Sequence, residues 1–277
     1  MRYSDLVQNA INRLNSPDQT ADVILLLQKA FNLTVTEYWI HKNDEVQNKN
    51  GVRKFYRYIN RLQRHEPIAH IFKEKEFYSR PFFVNQHVLV PRPETEILVE
   101  EAAKLAPSPA RILDIGAGSG VISITLALET GASVVALEKS PKAVSVLKKN
   151  IQKHNIAHLV TPMKGDLFPV HNKHRFDMVV SNPPYLAEEE WEDLSPNVKY
   201  YDPKEALVSG ESGLECIVAI IDGVPSVLKS GGHLLMEIGY RQKMAVKELL
   251  EKKQFSDIHF IDDYSGIPRI AAARWRD

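Results

Sequence analysis

The tetrapeptide Asn182-Pro183-Pro184-Tyr185 follows an apolar run, MVVS, that is typical of a buried strand. Two consecutive prolines remove two backbone N–H donors and fix φ, so helix and sheet are both excluded beyond Asn182. The turn that remains offers outward carbonyl oxygens, one amide side chain and one aromatic ring. Such a turn suits a planar group that presents N–H bonds; the alternative is an ordinary strand end with a packed tyrosine. The first interpretation predicts a substrate pocket at these four residues.

A second segment, LDIGAGSGV, places an acid and three glycines where a predicted strand passes into a helix. Glycine lets the backbone turn sharply and lets a ligand approach closely. The dinucleotide fingerprint G-x-G-x-x-G would need glycine at position 121, where the sequence has Val121. An acid at this point suits a positively charged amino-acid moiety better than a pyrophosphate. The predicted ligand-binding residues are Asp114, Gly116, Ala117, Gly118, Ser119 and Gly120.

Two further acids stand at the ends of the next predicted strands. Glu138, about 20 residues past the glycines, is placed where an acid binds the hydroxyls of a ribose. Asp166 can accept from an exocyclic amine, and Leu167 and Phe168 can wall a flat base. Each acid alone could equally be a helix cap or a surface charge. Together with the two segments above, they predict an ammonium site, a ribose site, an adenine site and an acceptor-rich pocket at four successive strand ends.

These side chains must be positioned by a sheet, and from residue 94 onward the sequence alternates helix and strand. The predicted strands are RILDIG, ASVVALE, HLVTPMKG, FDMVVSN, GGHLLMEIG, DIHFID and PRIAAARW. Strands that alternate with helices imply a mainly parallel sheet covered on both faces, so the predicted fold class is α/β. The last two strands, joined by DDYSGI, are expected to form an antiparallel edge.

The part of the chain before residue 94 has different patterns. Helical spacing continues to about residue 71, and the fourth predicted helix, NGVRKFYRYINRLQRHEP, ends at Pro67. One face of this helix carries a stripe of arginines, which either grips a phosphate backbone or acidic partner or is simply solvated: Arg53, Arg57, Arg61 and Arg64. Residues 72–93 then predict a β-hairpin linker with its turn at Asn85-Gln86.

Composition narrows the class of protein. The chain has 277 residues and zero net charge, which argues against binding held chiefly by phosphate contacts. Its single cysteine, Cys216, lies in an apolar helical run and cannot form an internal disulfide, which favours a reducing compartment. No signal peptide and no apolar run long enough to span a bilayer is visible. We expect a soluble, cytoplasmic protein without a membrane partner.

In residues 114–120, Glu138, Asp166 and residues 182–185, the chain resembles S-adenosylmethionine-dependent methyltransferases with a Rossmann-like sheet. The resemblance is to the branch that methylates planar amino or amide nitrogens. More specific segments resemble the HemK/PrmC family in order along the chain. They are EPIAHIFKEKEF, VLVPRPETE, VVSNPPY, YDPKEALVSGESGL, SGGHLLMEIGYRQ and DDYSGIPRIAAARW. That family methylates the glutamine of the Gly-Gly-Gln motif in class 1 peptide chain release factors.

The resemblance implies S-adenosyl-L-methionine as the cofactor and a class 1 release factor as the partner. It also implies three parts of the chain: a helical substrate-recognition domain at residues 1–71, the hairpin linker at 72–93 and a catalytic domain at 94–277. Within the pocket, Asn182, Pro183 and Tyr185 are expected to be catalytic, and Pro184 to bind substrate with them. Asn182 is also expected to contact the cofactor, beside the loop residues, Glu138, Asp166 and Leu167.

Other functions remain open on the sequence alone. A relative that methylates a glutamine of a ribosomal protein would need the same pocket. A DNA or RNA adenine methyltransferase would need a basic, aromatic surface, which the neutral charge disfavours, so nucleic acid is not expected as substrate. A cofactor-binding module without catalysis would not need the tetrapeptide. No metal site is predicted, because His154 and His158 lack a nearby carboxylate or cysteine.

Overall fold

The structure, a computed structural model, describes residues 1–168 and 175–276. The chain divides into two compact units, Met1–Phe72 and Lys73–Asp277. Residues 169–174 and 277, which fall within the predicted catalytic domain, lie outside the described residues. No helix in the described part of the chain is both long enough and apolar enough to cross a membrane.

The first unit is helical. Its helices are α1 Tyr3–Leu14, α2 Thr20–Phe31, α3 Val35–His41, α4 Lys49–Leu62 and α5 Ile68–Phe72, with a 3-10 turn at Pro17–Gln19. Helix α3 begins at a capping box, in which the Thr34 side chain accepts from the Glu37 N–H and the Glu37 carboxylate accepts from the Thr34 N–H. Fully buried side chains on α1, α2 and α4, including Leu6, Leu26 and Phe55, form the core of the unit.

The arginine stripe is shorter than predicted, because α4 ends at Leu62 rather than near Pro67. Arg53 and Arg57 are exposed on α4. The Arg61 guanidinium is instead bound within the unit, with Nε 2.7 Å from Glu66 Oε2 and with further bonds to the carbonyls of residues 70 and 71. Arg64 follows the end of the helix. Only two of the four arginines therefore lie together as an exposed pair on α4.

The second unit opens with a β-hairpin formed by β1 Glu74–Phe77 and β2 Arg80–Phe83. The predicted turn at Asn85-Gln86 is wrong: the chain reverses at Tyr78 and Ser79, which both adopt left-handed φ values of 53° and 56°. Two successive positive φ values match the twist of paired strands in a two-residue turn. The Asn85 side chain instead accepts from the His87 N–H in the loop that follows β2.

A seven-stranded sheet of described residues forms the body of this unit. The strands are β3 Arg111–Ile115, β4 Ser133–Glu138, β5 Val160–Lys164, β6 Phe176–Ser181, β7 Leu228–Glu237, β8 Ser256–Asp262 and β9 Pro268–Arg274. Their order is β5-β4-β3-β6-β7-β9-β8. Pairing is parallel from β5 to β7, and β9 runs antiparallel to both β7 and β8, as the closing pair predicts. The predicted α/β class, with a helical first part and a hairpin, is confirmed.

Helices cover both faces of the sheet. They are α6 Glu94–Leu105, α7 Val121–Thr130, α8 Pro141–Lys153, α9 Pro196–Lys199, α10 Glu215–Gly223 and α11 Lys243–Lys252, with 3-10 turns at Glu188–Trp191, Lys204–Ala206 and Val224–Ser226. Neighbouring strand residues point to opposite faces, so Ile112 packs into one core cluster and Leu113 into the other. The central strands β3 and β6 are buried on both faces, which is why most of their residues are apolar.

The strand order reverses beside β3, since β4 and β5 lie on one side of it and β6 and β7 on the other. At this switch point the ends of β3 and β6 are paired, Ile115 with Ser181. The Ser181 hydroxyl donates to the Ile115 carbonyl at 2.8 Å and ties the two strand ends together. In open α/β sheets, ligands bind outside the carboxyl ends of the strands at such a point.

Candidate active site

A cavity of about 610 Å³ opens at the carboxyl ends of β3, β4, β5 and β6. Ten of the residues predicted from the sequence line it: Gly116, Ala117, Gly118, Ser119, Glu138, Asp166, Leu167, Asn182, Pro183 and Pro184. Three predicted site residues are not among the lining residues: Asp114, Gly120 and Tyr185. The structure thus brings most of the four predicted strand-end sites into one cavity.

The glycine loop after β3 is shaped for close approach to its backbone. Gly116 and Gly118 have positive φ values of 76° and 54°, which L side chains rarely adopt. The N–H groups of Gly116 and Ala117 both donate to the Leu137 carbonyl at 2.9 Å, which anchors the loop on β4. A Cβ at Gly116 would meet no atom within 4 Å. The loop therefore presents bare backbone to open space.

Gly120 serves a different purpose in the same loop. Its φ is 85°, and a Cβ there would lie 2.4 Å from Leu147 Cδ1 and 3.1 Å from Ile124 Cδ1. The residue therefore permits α7 and α8 to pack closely behind the loop. This packing role accounts for the glycine, and a contact between Gly120 and a ligand remains a prediction.

Glu138, the last residue of β4, is held as an acceptor by backbone donors. Its Oε2 accepts from the Gly118 N–H at 2.9 Å, and its Oε1 accepts from the Ser140 N–H at 2.7 Å. Each carboxylate oxygen can accept more than one hydrogen bond. The half-buried carboxylate is thus fixed in orientation and retains acceptor capacity toward the cavity that it lines.

Asp114, the residue before the last one of β3, is fully buried. Its Oδ2 accepts from the Ser123 hydroxyl, whereas its Oδ1 has no partner among the described residues. Burial raises the pKa of the Asp114 carboxyl to about 7, and the hydrogen bonds from Ser123 oppose that rise. The acid thus lies beneath the glycine loop with one oxygen unpaired, and its predicted role toward an ammonium group stays a prediction.

The wall at β5 combines an exposed acid with apolar side chains. Asp166 Oδ2 lies 2.7 Å from Lys139 Nζ, but both side chains are mostly exposed, so this ion pair contributes little. Leu167 adopts a left-handed φ of 58° and lines the cavity. Cys216 on α10 lines the cavity as well as packing in the core, and burial raises the pKa of its thiol to about 11. The thiol is therefore neutral at ordinary pH.

Asn182 is oriented by a chain of buried polar groups. Its Nδ2 donates to Thr95 Oγ1 at 3.1 Å, and the Thr95 hydroxyl donates to Glu237 Oε2 at 2.6 Å. The Tyr185 hydroxyl donates to the other oxygen, Glu237 Oε1, at 3.3 Å. With its nitrogen bound to Thr95, the Asn182 side chain keeps Oδ1 as an acceptor that has no hydrogen-bond donor among the residues that the structure describes. Tyr185 is thereby tied to the same carboxyl, and stacking of its ring on a substrate remains a prediction.

The backbone after the tetrapeptide is clamped from two sides. The N–H groups of Tyr185 and Leu186 both donate to the Leu207 carbonyl, at 3.1 and 2.9 Å. Gln242 Nε2 donates to the carbonyls of Tyr185 and Gly213, at 2.9 and 3.1 Å. A Cβ at Gly213 would lie 2.6 Å from the Tyr185 carbonyl oxygen, so glycine is required for this approach. These hydrogen bonds therefore hold the turn in place at the carboxyl end of β6.

Sequence reasoning missed Thr95, Glu237 and Gln242 as site residues. A signal for Glu237 was present, because it is an acid inside the apolar strand LLMEIG and is 2% exposed in the structure. Acids in such positions are paired or functional far more often than solvated. Thr95 gave no comparable signal, since a threonine in the first helical turn is ordinary.

The lining residues fit S-adenosyl-L-methionine. A Cβ would meet no atom within 4 Å at Gly116 and only a backbone oxygen, at 3.9 Å, at Gly118. The buried Asp114 Oδ1 has no partner among the described residues. Glu138 supplies a fixed carboxylate for hydroxyl groups, and Leu137 and Leu167 supply apolar contacts. In the described part of the chain, no three His, Cys, Asp or Glu side chains are grouped so that they could hold a metal ion.

Two family models match the chain, the PrmC N-terminal domain over residues 5–72 and the methyltransferase small domain over residues 93–196. A methyltransferase from Pyrococcus furiosus has the same fold, with a TM-score of 0.56 and 19% identity over 79% of this chain and 98% of that one. The fold and the matched domain define an α/β methyltransferase of the S-adenosylmethionine-dependent class.

Similar proteins narrow the class further. The release factor glutamine methyltransferase of Geobacter sulfurreducens is 38% identical over 78% of this chain and 76% of its own length. The release factor glutamine methyltransferase of Escherichia coli strain K12 is 34% identical over 99% of both chains. The chain belongs to the release factor glutamine methyltransferase family.

Proposed function

We propose that the protein transfers a methyl group from S-adenosyl-L-methionine to the side-chain amide nitrogen of the glutamine in the Gly-Gly-Gln motif of class 1 peptide chain release factors. The observation that carries the proposal is the hydrogen bond from Asn182 Nδ2 to Thr95 Oγ1. That bond leaves Asn182 Oδ1 as an acceptor beside the cavity, which suits a primary amide that offers two N–H donors. The names of the relatives support the same reaction.

The cofactor-binding side of the cavity comprises the glycine loop, Glu138 and the segment at Asp166 and Leu167. S-adenosyl-L-methionine supplies a methyl group activated by a sulfonium. Glu138 would accept hydrogen bonds from the ribose hydroxyls, and its own bonds to the Gly118 and Ser140 backbone keep it in place. Leu167 would contact the base, and the carboxylate of Asp114 would favour an ammonium group at the loop.

On the substrate side, the residues of the chain position an amide nitrogen. Asn182 Oδ1 and the Pro183 carbonyl accept its two N–H bonds, so the nitrogen is held with one face toward the methyl donor. An amide nitrogen is a weak nucleophile because its lone pair is delocalised into the carbonyl. The two acceptors stabilise the positive charge that develops on the nitrogen during transfer. The surplus proton leaves to water after transfer, so positioning and charge stabilisation replace a strong base.

The substrate is a release factor rather than a nucleic acid in this proposal. An adenine amine has similar donors, but it must be flipped out of a stack at a cost of about a few kcal/mol. The zero net charge provides little phosphate attraction to offset that cost. A ribosomal protein glutamine would fit the same acceptors and is the second candidate to test. We place the reaction in the cytoplasm, where release factors act.

Transfer of radiolabelled methyl groups tests the proposal. Label is expected on a class 1 release factor and is expected to be absent from the same factor carrying Gln→Ala in its Gly-Gly-Gln motif. DNA and ribosomal proteins, supplied at the same concentration, should remain unlabelled. Label on DNA, on ribosomal protein alone, or on the Gln→Ala factor would overturn the assignment.

A further inference from the structure

Three buried or half-buried side chains from distant parts of the second unit form a directed chain of hydrogen bonds. Asn182 Nδ2 donates to Thr95 Oγ1, and Thr95 Oγ1 donates to Glu237 Oε2. Thr95 and Glu237 are each only 2% exposed. Thr95 lies at the start of α6, Glu237 at the end of β7, and Asn182 directly after β6.

The donor and acceptor in each of these hydrogen bonds follow from the chemistry of the three side chains. A hydroxyl has one proton, and the Thr95 proton is given to Glu237 at 2.6 Å. The Thr95 oxygen can then only accept, so the group facing it must be the NH2 of Asn182 and not its carbonyl. The second Glu237 oxygen accepts from the Tyr185 hydroxyl, so the described contacts use both oxygens of Glu237 as acceptors.

The protonation of the tyrosine agrees with this direction. Burial and the nearby Glu237 charge raise the pKa of the Tyr185 phenol, so the hydroxyl keeps the proton that it donates. Burial also raises the pKa of the Glu237 carboxyl, and the hydrogen bonds from Thr95 and Tyr185 oppose that rise. The two hydroxyls thus donate to Glu237 in a buried position, where their hydrogen bonds favour the charged form of the carboxyl.

We propose that Thr95 and Glu237 are positioning residues that fix which face of the Asn182 amide is turned toward the substrate, and that they thereby set the preference of the site for glutamine over glutamate. The inference rests on the proposed function, because it concerns the same amide pocket. With Oδ1 turned to the substrate, Asn182 accepts from an amide NH2 and repels a carboxylate oxygen of the same shape. With the amide reversed, Nδ2 would face the substrate and the preference would fall.

Two substitutions change the hydrogen bonds that orient the Asn182 amide, each in a different way. Thr95→Val keeps the shape of the side chain and removes the hydroxyl, so the Asn182 nitrogen loses its acceptor. Glu237→Gln keeps the shape and supplies an amide that can donate to Thr95; the Thr95 hydroxyl is then free to donate to the Asn182 oxygen and reverse the amide. Thr95→Ser keeps the hydroxyl and is the matched control.

The test compares a release factor bearing Gly-Gly-Gln with the same factor bearing Gln→Glu. Turnover is measured on the first, and the second is measured as a competitive inhibitor, for the wild-type enzyme and the three variants. Thr95→Val and Glu237→Gln should lower kcat by about tenfold to a hundredfold, because the reacting amide is misplaced. They should also reduce the ratio of affinities for the Gln and Glu factors by about tenfold or more, since that ratio depends on unmatched buried polar groups. Thr95→Ser should keep most of the wild-type ratio of affinities for the Gln and Glu factors.

Affinity for S-adenosyl-L-methionine, measured by calorimetry, and the thermal melting curve show whether each variant is folded with an intact cofactor site. Unchanged kcat and an unchanged Gln-to-Glu ratio in both Thr95→Val and Glu237→Gln, beside normal wild-type turnover, would overturn the positioning role while leaving the proposed function in place. A parallel loss of cofactor affinity, turnover and melting temperature with no change in the ratio would assign the two residues to stability alone. Failure of the wild-type enzyme to methylate the Gly-Gly-Gln factor would overturn the proposed function and this inference with it.

Discussion

Three carboxyl groups at strand ends differ in their surroundings, and the differences determine what each can do. Glu138 is half-buried and receives two backbone N–H bonds, so it is a fixed acceptor. Glu237 is buried and receives two hydroxyls, which makes it an orienting group for Asn182. Asp114 is buried, its Oδ1 has no partner among the described residues, and burial raises the pKa of its carboxyl to about 7.

The raised pKa of the Asp114 carboxyl should appear in the pH dependence of folding stability. Its folded pKa of about 7 lies above the ordinary 3.8, so the folded chain holds a proton that the unfolded chain releases. Stability from this group is therefore present at low pH and lost as pH rises toward about 7. Between about pH 5 and about pH 8 the wild type should lose about 3 kcal/mol relative to Asp114→Asn, as urea unfolding would measure. A constant difference between the two proteins across that range would contradict the shifted pKa.

At the scale of elements, the glycine loop owes its shape to helix packing as much as to a ligand. Gly116 and Gly118 face open space, whereas Gly120 lies against α8 through Leu147. The same sequence pattern thus combines two cavity-lining glycines with one packing glycine. Sequence spacing alone treats the three alike.

Substitution of Gly120 separates the packing role from backbone strain. Gly120→Ala adds a methyl group 2.4 Å from the buried Leu147 side chain at a φ of 85°. Gly131→Ala is the matched control, because Gly131 also has a positive φ, 71°, but a Cβ there meets no atom within 4 Å. Both should pay left-handed strain of about 1–2 kcal/mol. Gly120→Ala should lose about a further 1–3 kcal/mol from overpacking. Equal losses of unfolding free energy in the two variants, measured by chemical denaturation, would show that the side chains around Gly120 move to accept the methyl group.

Local patterns were sufficient for most of this architecture. Apolar runs predicted each strand of the sheet, and Gly116, Gly118, Glu138 and Asp166 line the cavity as expected, because strand ends of a parallel sheet meet at one edge. Asp114 and Gly120 are not among the lining residues. The chain of bonds at Asn182 could not be predicted in this way. Thr95 and Glu237 are 142 positions apart, and Thr95 and Asn182 are 87 apart, so only the folded structure brings them together. The hairpin turn was misplaced because Tyr78 and Ser79 are not typical residues for positive φ.

At the scale of the whole molecule, the helical unit remains the expected site of partner recognition. Its exposed arginine pair, Arg53 and Arg57, is the part of the predicted stripe that stays on one face of α4. Arg61 is held by Glu66 and by backbone carbonyls, which removes it from that surface. An acidic surface on the release factor would complement the remaining pair.

Charge reversal tests this recognition. Arg57→Glu should lower kcat/KM on the intact release factor by about tenfold, since reversing an interface charge slows association. A short peptide containing Gly-Gly-Gln should be methylated as before, because it needs only the pocket. Arg13→Glu, an equal charge change at an exposed position of α1, is the control. Equal effects of the two variants, or an equal loss on the peptide, would contradict docking through the α4 arginines.

Tandem mass spectrometry of a class 1 release factor, incubated with the enzyme and S-adenosyl-L-methionine, locates the transferred methyl group directly. One methyl group is predicted on the side-chain nitrogen of the glutamine in the Gly-Gly-Gln motif with the wild-type enzyme. With Asn182→Ala the modification should be lost, because one of the two acceptors for the amide is gone, while the cofactor still binds. A methyl group on any other residue, or full modification of that glutamine by Asn182→Ala, would contradict the assignment of Asn182 and its neighbours as the amide-binding site.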